Sequence, residues 1–247
     1  MNYRDLIPKP IKMYFHRLLS KYSLIISQAG QDIWIYGEAF NEKKCGYFLD
    51  IGAHDGVVYS NTYLLEKKYN WSGILIEANP LSFRKLASSR KSLCLNVALD
   101  KTEGEVTFAL RGYMGRIIEN GINDNGLKKS SSHHIRLKTK SLNYILQKYQ
   151  APKIIDYLSI DVEGAEERIL IEFNFQKYIF RCVTIERPTN LLRKIFRENG
   201  YVLIKEIPKL DCFYVHDTFL DEYLENLYSF YKKRHLSIRW NREGNKI

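Results

Sequence analysis

The segment Tyr47–Gly56, YFLDIGAHDG, constrains this chain more than any other. An apolar run through Tyr47, Phe48 and Leu49 ends in Asp50-Ile51-Gly52 and turns through Ala53, His54, Asp55 and Gly56. A helical pattern follows from about Val57 to Tyr69, with Ser60 and Asn61 early in it. Strand, glycine turn and helix together bring backbone N–H groups and a positive helix end to one ligand. Any α/β protein can need glycine in a tight turn after a strand, so the segment fixes a local shape before a function.

A second short apolar strand, Gly73-Ile74-Leu75-Ile76, ends in Glu77. A carboxylate at the tip of the second strand is placed to accept hydrogen bonds from both hydroxyls of a ribose. The alternative is a solvated acid at a strand end. The dinucleotide fingerprint G-x-G-x-x-G needs glycine at its third position, where His54 stands. A nicotinamide or flavin dinucleotide is therefore disfavoured. A nucleoside ligand without a pyrophosphate fits, and S-adenosylmethionine is the commonest of these.

From there strands and helices alternate. Strands are predicted near 46–51, 73–77, 92–97, 104–110, 135–139, 154–160 and 181–185, with an antiparallel pair at 201–207 and 211–216. Helices are predicted at 33–40, 57–69, 80–90 and 141–149, then to Phe173, to Asn199 with Gly200 as its stop, and from Thr218 onward. Repeated β-α units closed by an antiparallel pair predict an α/β, Rossmann-like, doubly wound and mostly parallel sheet. Ligands of such sheets lie beyond the carboxyl ends of the strands, where Asp50, Glu77, Asp161 and Glu186 all stand. These four acids are expected to converge on one cleft.

Two further segments bear on that cleft. Ser27-Gln28-Ala29-Gly30-Gln31-Asp32 is placed to fold over a ligand, or merely to start a helix with Asp32 near its N-terminus. Residues 111–134 are rich in glycine, asparagine and serine, which reads as a substrate loop or as a disordered insertion. Its His133 and His134 are candidate bases if the loop closes, though adjacent histidines in a polar loop are usually solvated.

The ends have a different character. Residues 10–22 carry apolar positions at helical spacing opposite a basic face, which suits packing on the domain, on a sister subunit, or on a membrane surface. Lys9, Lys12, Arg17 and Lys21 at the front, and Lys232, Lys233, Arg234, Arg239 and Arg242 at the back, add to a net charge of +10. That charge admits an acidic partner without choosing one, and a solvated surface explains it equally. The expected organisation is an N-terminal basic helix over 1–26, a catalytic domain over 27–217, and a C-terminal helix with basic tail over 218–247. Cys45, Cys94, Cys182 and Cys212 form no C-x-x-C pair, no apolar run is long enough to span a bilayer, and no signal peptide opens the chain. A cytoplasmic protein is expected.

The stretches SQAGQD (27–32), FLDIGAHDGVVYSNTYLLEK (48–67), GILIEANP (73–80), LNVAL (95–99), DYLSIDVEGAEERIL (156–170) and VTIERP (183–188) resemble the FkbM family of S-adenosylmethionine-dependent methyltransferases. The resemblance implies a class I methyltransferase fold. It also implies that Gly52, Ala53, His54, Asp55 and Gly56 line the methionine part of the cofactor, Glu77 the ribose, and Asn96, Val97 and Ala98 the adenine side. Gln31, Asp50, Ser60, Asn61, Ala78 and Asp161 complete the cofactor residues so implied. Many relatives carry asparagine after the acid of the fifth strand, where this chain has Arg187. The family methylates hydroxyl groups on varied small molecules and sugars, so a small-molecule or glycan acceptor is implied and its identity left open.

Methyl transfer to oxygen needs an in-line approach and removal of the hydroxyl proton. Asp161, Glu163 and Glu186 are the candidate catalytic residues. Either a carboxylate raised in pKa by its acidic neighbours takes the proton, or two acids hold magnesium that acidifies the acceptor oxygen. Arg187 places positive charge where a cation would sit, which favours the metal-free route. A third reading has Asp161 and Glu163 only capping the next helix. Nucleic acid is a disfavoured acceptor: Asp161-Val162-Glu163-Gly164 stands where a base-directed enzyme would carry Asn/Asp-Pro-Pro-aromatic, although a ribose hydroxyl remains open. A cofactor-binding module without catalysis is the other alternative.

Overall fold

The computed structural model describes residues 27–110, 115–118 and 133–234. The amphipathic segment 10–22, residues 111–114 and 119–132 of the polar insertion, and the basic tail after Arg234 lie outside the described residues. In chain order the strands are β1 (Tyr47–Ile51), β2 (Ser72–Ile76), β3 (Leu93–Leu95), β4 (Ala98–Leu99), β5 (Gly104–Leu110) and β6 (Arg116–Ile118). They continue with β7 (His133–Lys140), β8 (Ile154–Ile160), β9 (Ile179–Glu186), β10 (Tyr201–Glu206) and β11 (Asp211–His216). The helices are α1 (Gln31–Ile33), which runs into a π-helix over Trp34–Ala39, then α2 (Tyr63–Tyr69), α3 (Pro80–Ser89) and α4 (Leu142–Lys148). α5 (Glu166–Leu170), α6 (Asn190–Glu198) and α7 (Asp217–Lys233) complete the set.

Seven strands form the main sheet in the order β10-β11-β9-β8-β1-β2-β3. β3, β2, β1, β8 and β9 are parallel, and β11 runs antiparallel between β9 and β10. This is the mostly parallel α/β sheet with an antiparallel closing pair that the β-α alternation predicts. Its central strands are buried on both faces, so their sequences read as continuous apolar runs. Leu49, Ile51, Leu158 and Val183 meet Leu146, Ile169, Leu192 and Phe196 on one face. Phe48, Leu75, Tyr157 and Phe213 meet Leu65, Leu86, Phe219 and Tyr223 on the other. The strand order turns between β1 and β8, and such a switch point opens a crevice at the carboxyl ends of the strands.

Two local expectations are corrected. The strand predicted over 92–97 stops at Leu95, because Asn96 turns its Nδ2 to the carbonyls of Glu77 (2.8 Å) and Ala78 (3.1 Å). The chain then enters a second, four-stranded sheet of order β4-β7-β5-β6. The helix predicted from Val57 begins only at Tyr63. Asp55 Oδ1 accepts from the amides of Val57 and Val58 (both 2.9 Å), and Tyr59 has φ +56, which no right-handed helix permits. Ser60 and Asn61 therefore precede the helix rather than open it.

The π-helix packs against α7, whose Phe219, Tyr223, Leu227, Phe230 and Tyr231 are buried. Of the basic residues near the chain end, Arg234 lies over the Phe230 ring at 3.7 Å and pairs with Glu42 at 2.6 Å. No helix of the described residues is long and apolar enough to cross a membrane.

Candidate active site

The β1 turn is built by close backbone approach. Gly52 has φ +85, and a Cβ there would lie 1.8 Å from the carbonyl oxygen of Asp161 at the end of β8. Only glycine lets β1 and β8 leave the sheet side by side. The amides of Gly52 and Ala53 both bond to Ile76 O, at 2.9 and 3.1 Å, which ties the turn to β2. His54 takes φ +50, and its amide donates to Glu77 Oε2 at 2.8 Å, while the amide of Asn79 donates to Glu77 Oε1 at 2.7 Å. Glu77 therefore sits buried at the tip of β2 as the acceptor that joins two turns. Burial foremost raises its pKa, against the two amides that lower it.

A cleft of about 430 Å³ opens over these strand ends, within the size range of small-molecule sites. It is lined by Asp50, Gly52, Ala53, His54, Ser60, Asn61, Glu77, Ala78, Val97, Ala98, Asp161 and Glu163, all expected from the sequence. Gly115 and Ile117, within the 111–134 segment read as a substrate loop, line it too, and with Phe108 of β5, which the sequence did not announce, they form a wall from the second sheet. Five expected residues stand elsewhere. Gln31 is buried, accepts from Ala29 N at 2.8 Å and donates its amide to Asp211 Oδ2. Its neighbour Gln28 lines the cleft instead. The Asp55 carboxylate and Gly56 shape the turn, Asn96 ties down β2, and Glu186 stands behind Asp161. His134 lies exposed on β7, outside the cleft lining.

Burial alone explains why Asp50, the next-to-last residue of β1, is raised in pKa; Thr62 Oγ1 donates to it and Arg90 lies near. The Arg90 guanidinium is the residue sequence reasoning missed. Fully buried, it donates to Gly56 O (3.1 Å), Ser60 Oγ (3.3 Å), Thr62 O (3.3 Å) and Thr62 Oγ1 (3.1 Å), and its Nε lies 3.3 Å from Glu66. A lone arginine at the end of an amphipathic helix carries no signal of this in the sequence.

Asp161 ends β8, and Glu186 ends the neighbouring strand β9. Asp161, Glu163 and Glu186 each place a carboxylate oxygen within 4.8 Å of the others. Burial first, then Glu186 and Glu163, push the Asp161 carboxyl up to about 8. Glu163 does not cap the following helix, and neither does Asp161, because α5 has no side-chain cap. Glu166 reaches back instead, accepting from the amides of Val162 (3.0 Å) and Gly164 (3.3 Å). The three oxygens suit a hard divalent cation in kind. Arg187 already stands among them, 2.7 Å from Glu186 and 3.2 Å from Glu163, so these acids meet their positive charge within the chain.

The family model described as the methyltransferase FkbM domain matches residues 50–203, from the acid of β1 to the middle of β10. The chain belongs to the FkbM methyltransferase family. Among curated proteins none matches. Among solved structures, the METTL16 MTase domain (crystal form 2) is 13% identical with a TM-score of 0.37, over 81% of this chain and 66% of that one. The N-terminal domain of human METTL16 in complex with SAH is 14% identical with a TM-score of 0.34, over 85% of this chain and 72% of that one. At that distance neither bears on the site of this FkbM methyltransferase.

The cleft of this FkbM methyltransferase fits S-adenosylmethionine by its polar lining. Its described lining carries Asp50, Glu77, Asp161 and Glu163 and neither lysine nor arginine. Such a wall offers acceptors to hydroxyl and ammonium groups and no cation to a pyrophosphate. Asn61 donates to Ser159 Oγ at 2.9 Å, while its Oδ1 is buried without a hydrogen-bond partner in the structure, an acceptor suited to an ammonium.

Proposed function

We propose that the protein is an S-adenosylmethionine-dependent O-methyltransferase acting on a hydroxyl of a sugar or glycan, or of its activated precursor. S-adenosylmethionine, when bound, supplies an electrophilic methyl group. The observation that carries the proposal is the Asp161 carboxyl, which has Glu186 behind it and lines the same cleft as the β1 turn and Glu77, so that a proton acceptor borders the cofactor cleft.

In this reading Glu77 accepts from the ribose hydroxyls with the lone pairs left after His54 N and Asn79 N. The Gly52–His54 turn and Asn61 line the amino-acid end, and Ala78, Val97 and Ala98 line the base. Asp161 receives the acceptor's hydroxyl proton at a carboxylate oxygen once its own proton has left. A base whose pKa lies near working pH combines available carboxylate with adequate basicity. Glu186, held by Arg187, and Glu163 keep that value high. Oxygen as the accepting atom is supported by this base and by the FkbM resemblance of the DVEG segment.

The test is untargeted. The protein is incubated with cofactor labelled in its methyl group and a cell-envelope extract, and the products are fractionated. Label in saccharide is the expected outcome. Label confined to RNA would overturn the sugar acceptor in favour of a ribose hydroxyl of nucleic acid.

A further inference from the structure

The segment between the β1 turn and α2 is irregular, yet each of its turns is fixed. Asp55 holds Val57 N and Val58 N, Ser60 Oγ accepts from Thr62 N (3.3 Å) and Tyr63 N (3.1 Å), and Arg90 binds Gly56, Ser60 and Thr62 from below. Tyr59 stands in the middle in the left-handed region at φ +56, a conformation unfavourable for a bulky aromatic residue. Backbone strain persists where the surroundings over-determine it, and it concentrates at ligand sites. An isolated parallel bridge between Ser27 and Tyr59 adds the last constraint.

What this scaffold presents is a ring in solvent. Tyr59 is 67% exposed and Val58 47% exposed, although both line the cleft. Packing does not explain a tyrosine held there at the cost of backbone strain. The segment lies on the β8 side of the cleft, because Asn61 bonds to Ser159 of β8 and Thr62 to Asp50 of β1. That is the side on which Asp161 ends its strand, whereas Glu77 and Asn79 lie across the cleft at β2. Tyr59 stands within the same cleft lining as Asp161. Gln28 stands exposed beside it, carried on a strap whose neighbours are anchored: Ser27 N to Asp32 at 3.3 Å, and Ala29 N to Gln31 at 2.8 Å. An exposed aromatic face, an uncharged amide and nearby carboxylates match the apolar C–H face and hydroxyl rim of a saccharide ring. The described lining holds no lysine or arginine to pair with a phosphate or carboxylate group.

We infer that Tyr59 is the stacking face for the methyl acceptor, and that the acceptor is an uncharged, hydroxyl-rich ring rather than a phosphorylated or uronic sugar. This rests on the sugar reading above and narrows it by excluding the activated, anionic precursor. The test offers the protein methyl glycosides of neutral hexoses, the corresponding hexuronic acids and hexose 1-phosphates, with cofactor labelled in its methyl group. Three proteins are compared: the parent, Tyr59→Phe, which keeps the ring, and Tyr59→Gly, which removes the ring and relieves the positive φ. The expected result is methylation of neutral glycosides only. In Tyr59→Gly the KM for the glycoside rises about tenfold, the loss of roughly one aromatic contact. Tyr59→Phe stays within about twofold of the parent, and kcat and calorimetric cofactor affinity hold in both. Preferential methylation of a uronic acid or sugar phosphate would overturn the charge selection. An unchanged glycoside KM in Tyr59→Gly, or a loss of cofactor affinity instead, would overturn the stacking role while leaving the sugar reading intact. Absence of methylation from every sugar would overturn the sugar reading and this inference together.

Discussion

At the end of β8 the Asp161 carboxyl is pushed up to about 8 from an ordinary 3.8, first by burial and then by Glu186 and Glu163. Between those limits the folded protein holds a proton that the unfolded chain releases. The sign follows: stability linked to Asp161 is complete below about pH 4 and is lost as pH rises through about 8. Asp161→Asn removes that loss. The variant is expected to melt higher than the parent, by a margin that widens from about pH 5 to about pH 9, while its turnover falls at least about 100-fold. Melting curves at matched pH and a rate assay read the two effects, and a constant margin would detach the titration from this residue. The parent's rate should rise with pH through about 8 and persist in a chelator, since Arg187 already stands among the three acids. Activity lost to chelator and restored by magnesium would restore the metal route. Across the cleft, Glu77→Ala removes the acceptor for His54 N and Asn79 N together with the proposed ribose contacts. Cofactor binding is expected to weaken by roughly 1.5–3 kcal/mol by calorimetry, and unchanged affinity would remove Glu77 from the site.

Among the elements, the segment from Gly56 to Thr62 does what a helix there could not. A helix would commit its backbone groups to itself, whereas this loop turns Gly56 O, Ser60 Oγ and both Thr62 oxygens to Arg90 and leaves Tyr59 at the cleft. Arg90 also lies between Glu66 and the Phe48 ring, with the guanidinium carbon 5.6 Å from the ring centroid. Removing one partner of a buried charge pair leaves the other uncompensated. Arg90→Ala is expected to cost about 3–5 kcal/mol in denaturant unfolding, and cofactor affinity should fall with it. A cost near that of a surface substitution would show that the loop is held by other contacts. The 27–32 strap works in the same way at longer range, since Gln31 crosses to Asp211 of β11, the strand partner of Glu186.

For the molecule as a whole, two sheets form the cleft and one long helix backs the main sheet. The second sheet supplies the Phe108 wall, and α7 closes the face of the main sheet opposite α4 to α6. Phe230 of α7 packs so closely on the π-helix that a Cβ on Gly37 would lie 2.3 Å from its ring. The C-terminal helix is thus part of the core of the domain it follows. Phe230→Ala is expected to cost about 3–5 kcal/mol in a single unfolding transition seen alike by fluorescence and circular dichroism. A separate early transition would mean that the helix unfolds on its own.

The local pattern of this chain determined the sheet. Apolar runs such as Phe48–Ile51 and Ile155–Ile160 can be satisfied only between helices, and the glycines and acids at their ends mark the carboxyl edge where a ligand lies. Asp50, Gly52, Glu77 and Asp161 were legible for that reason, because each sits a fixed step from a strand end. What the sequence left open depends on partners distant in the chain. Periodicity gave residues 57–62 to a helix, and the Arg90 guanidinium some thirty residues on holds them out of it. Gln31 was expected in the cleft and Gln28 was not, because only Asp211 on β11 decides which amide turns inward. The strand over 92–97 divides between two sheets because Asn96 bonds across to the tip of β2. Backbone propensity acts over a few residues, whereas a buried hydrogen bond or charge pair satisfied at long range outweighs it, and only the tertiary structure reveals which pairs form.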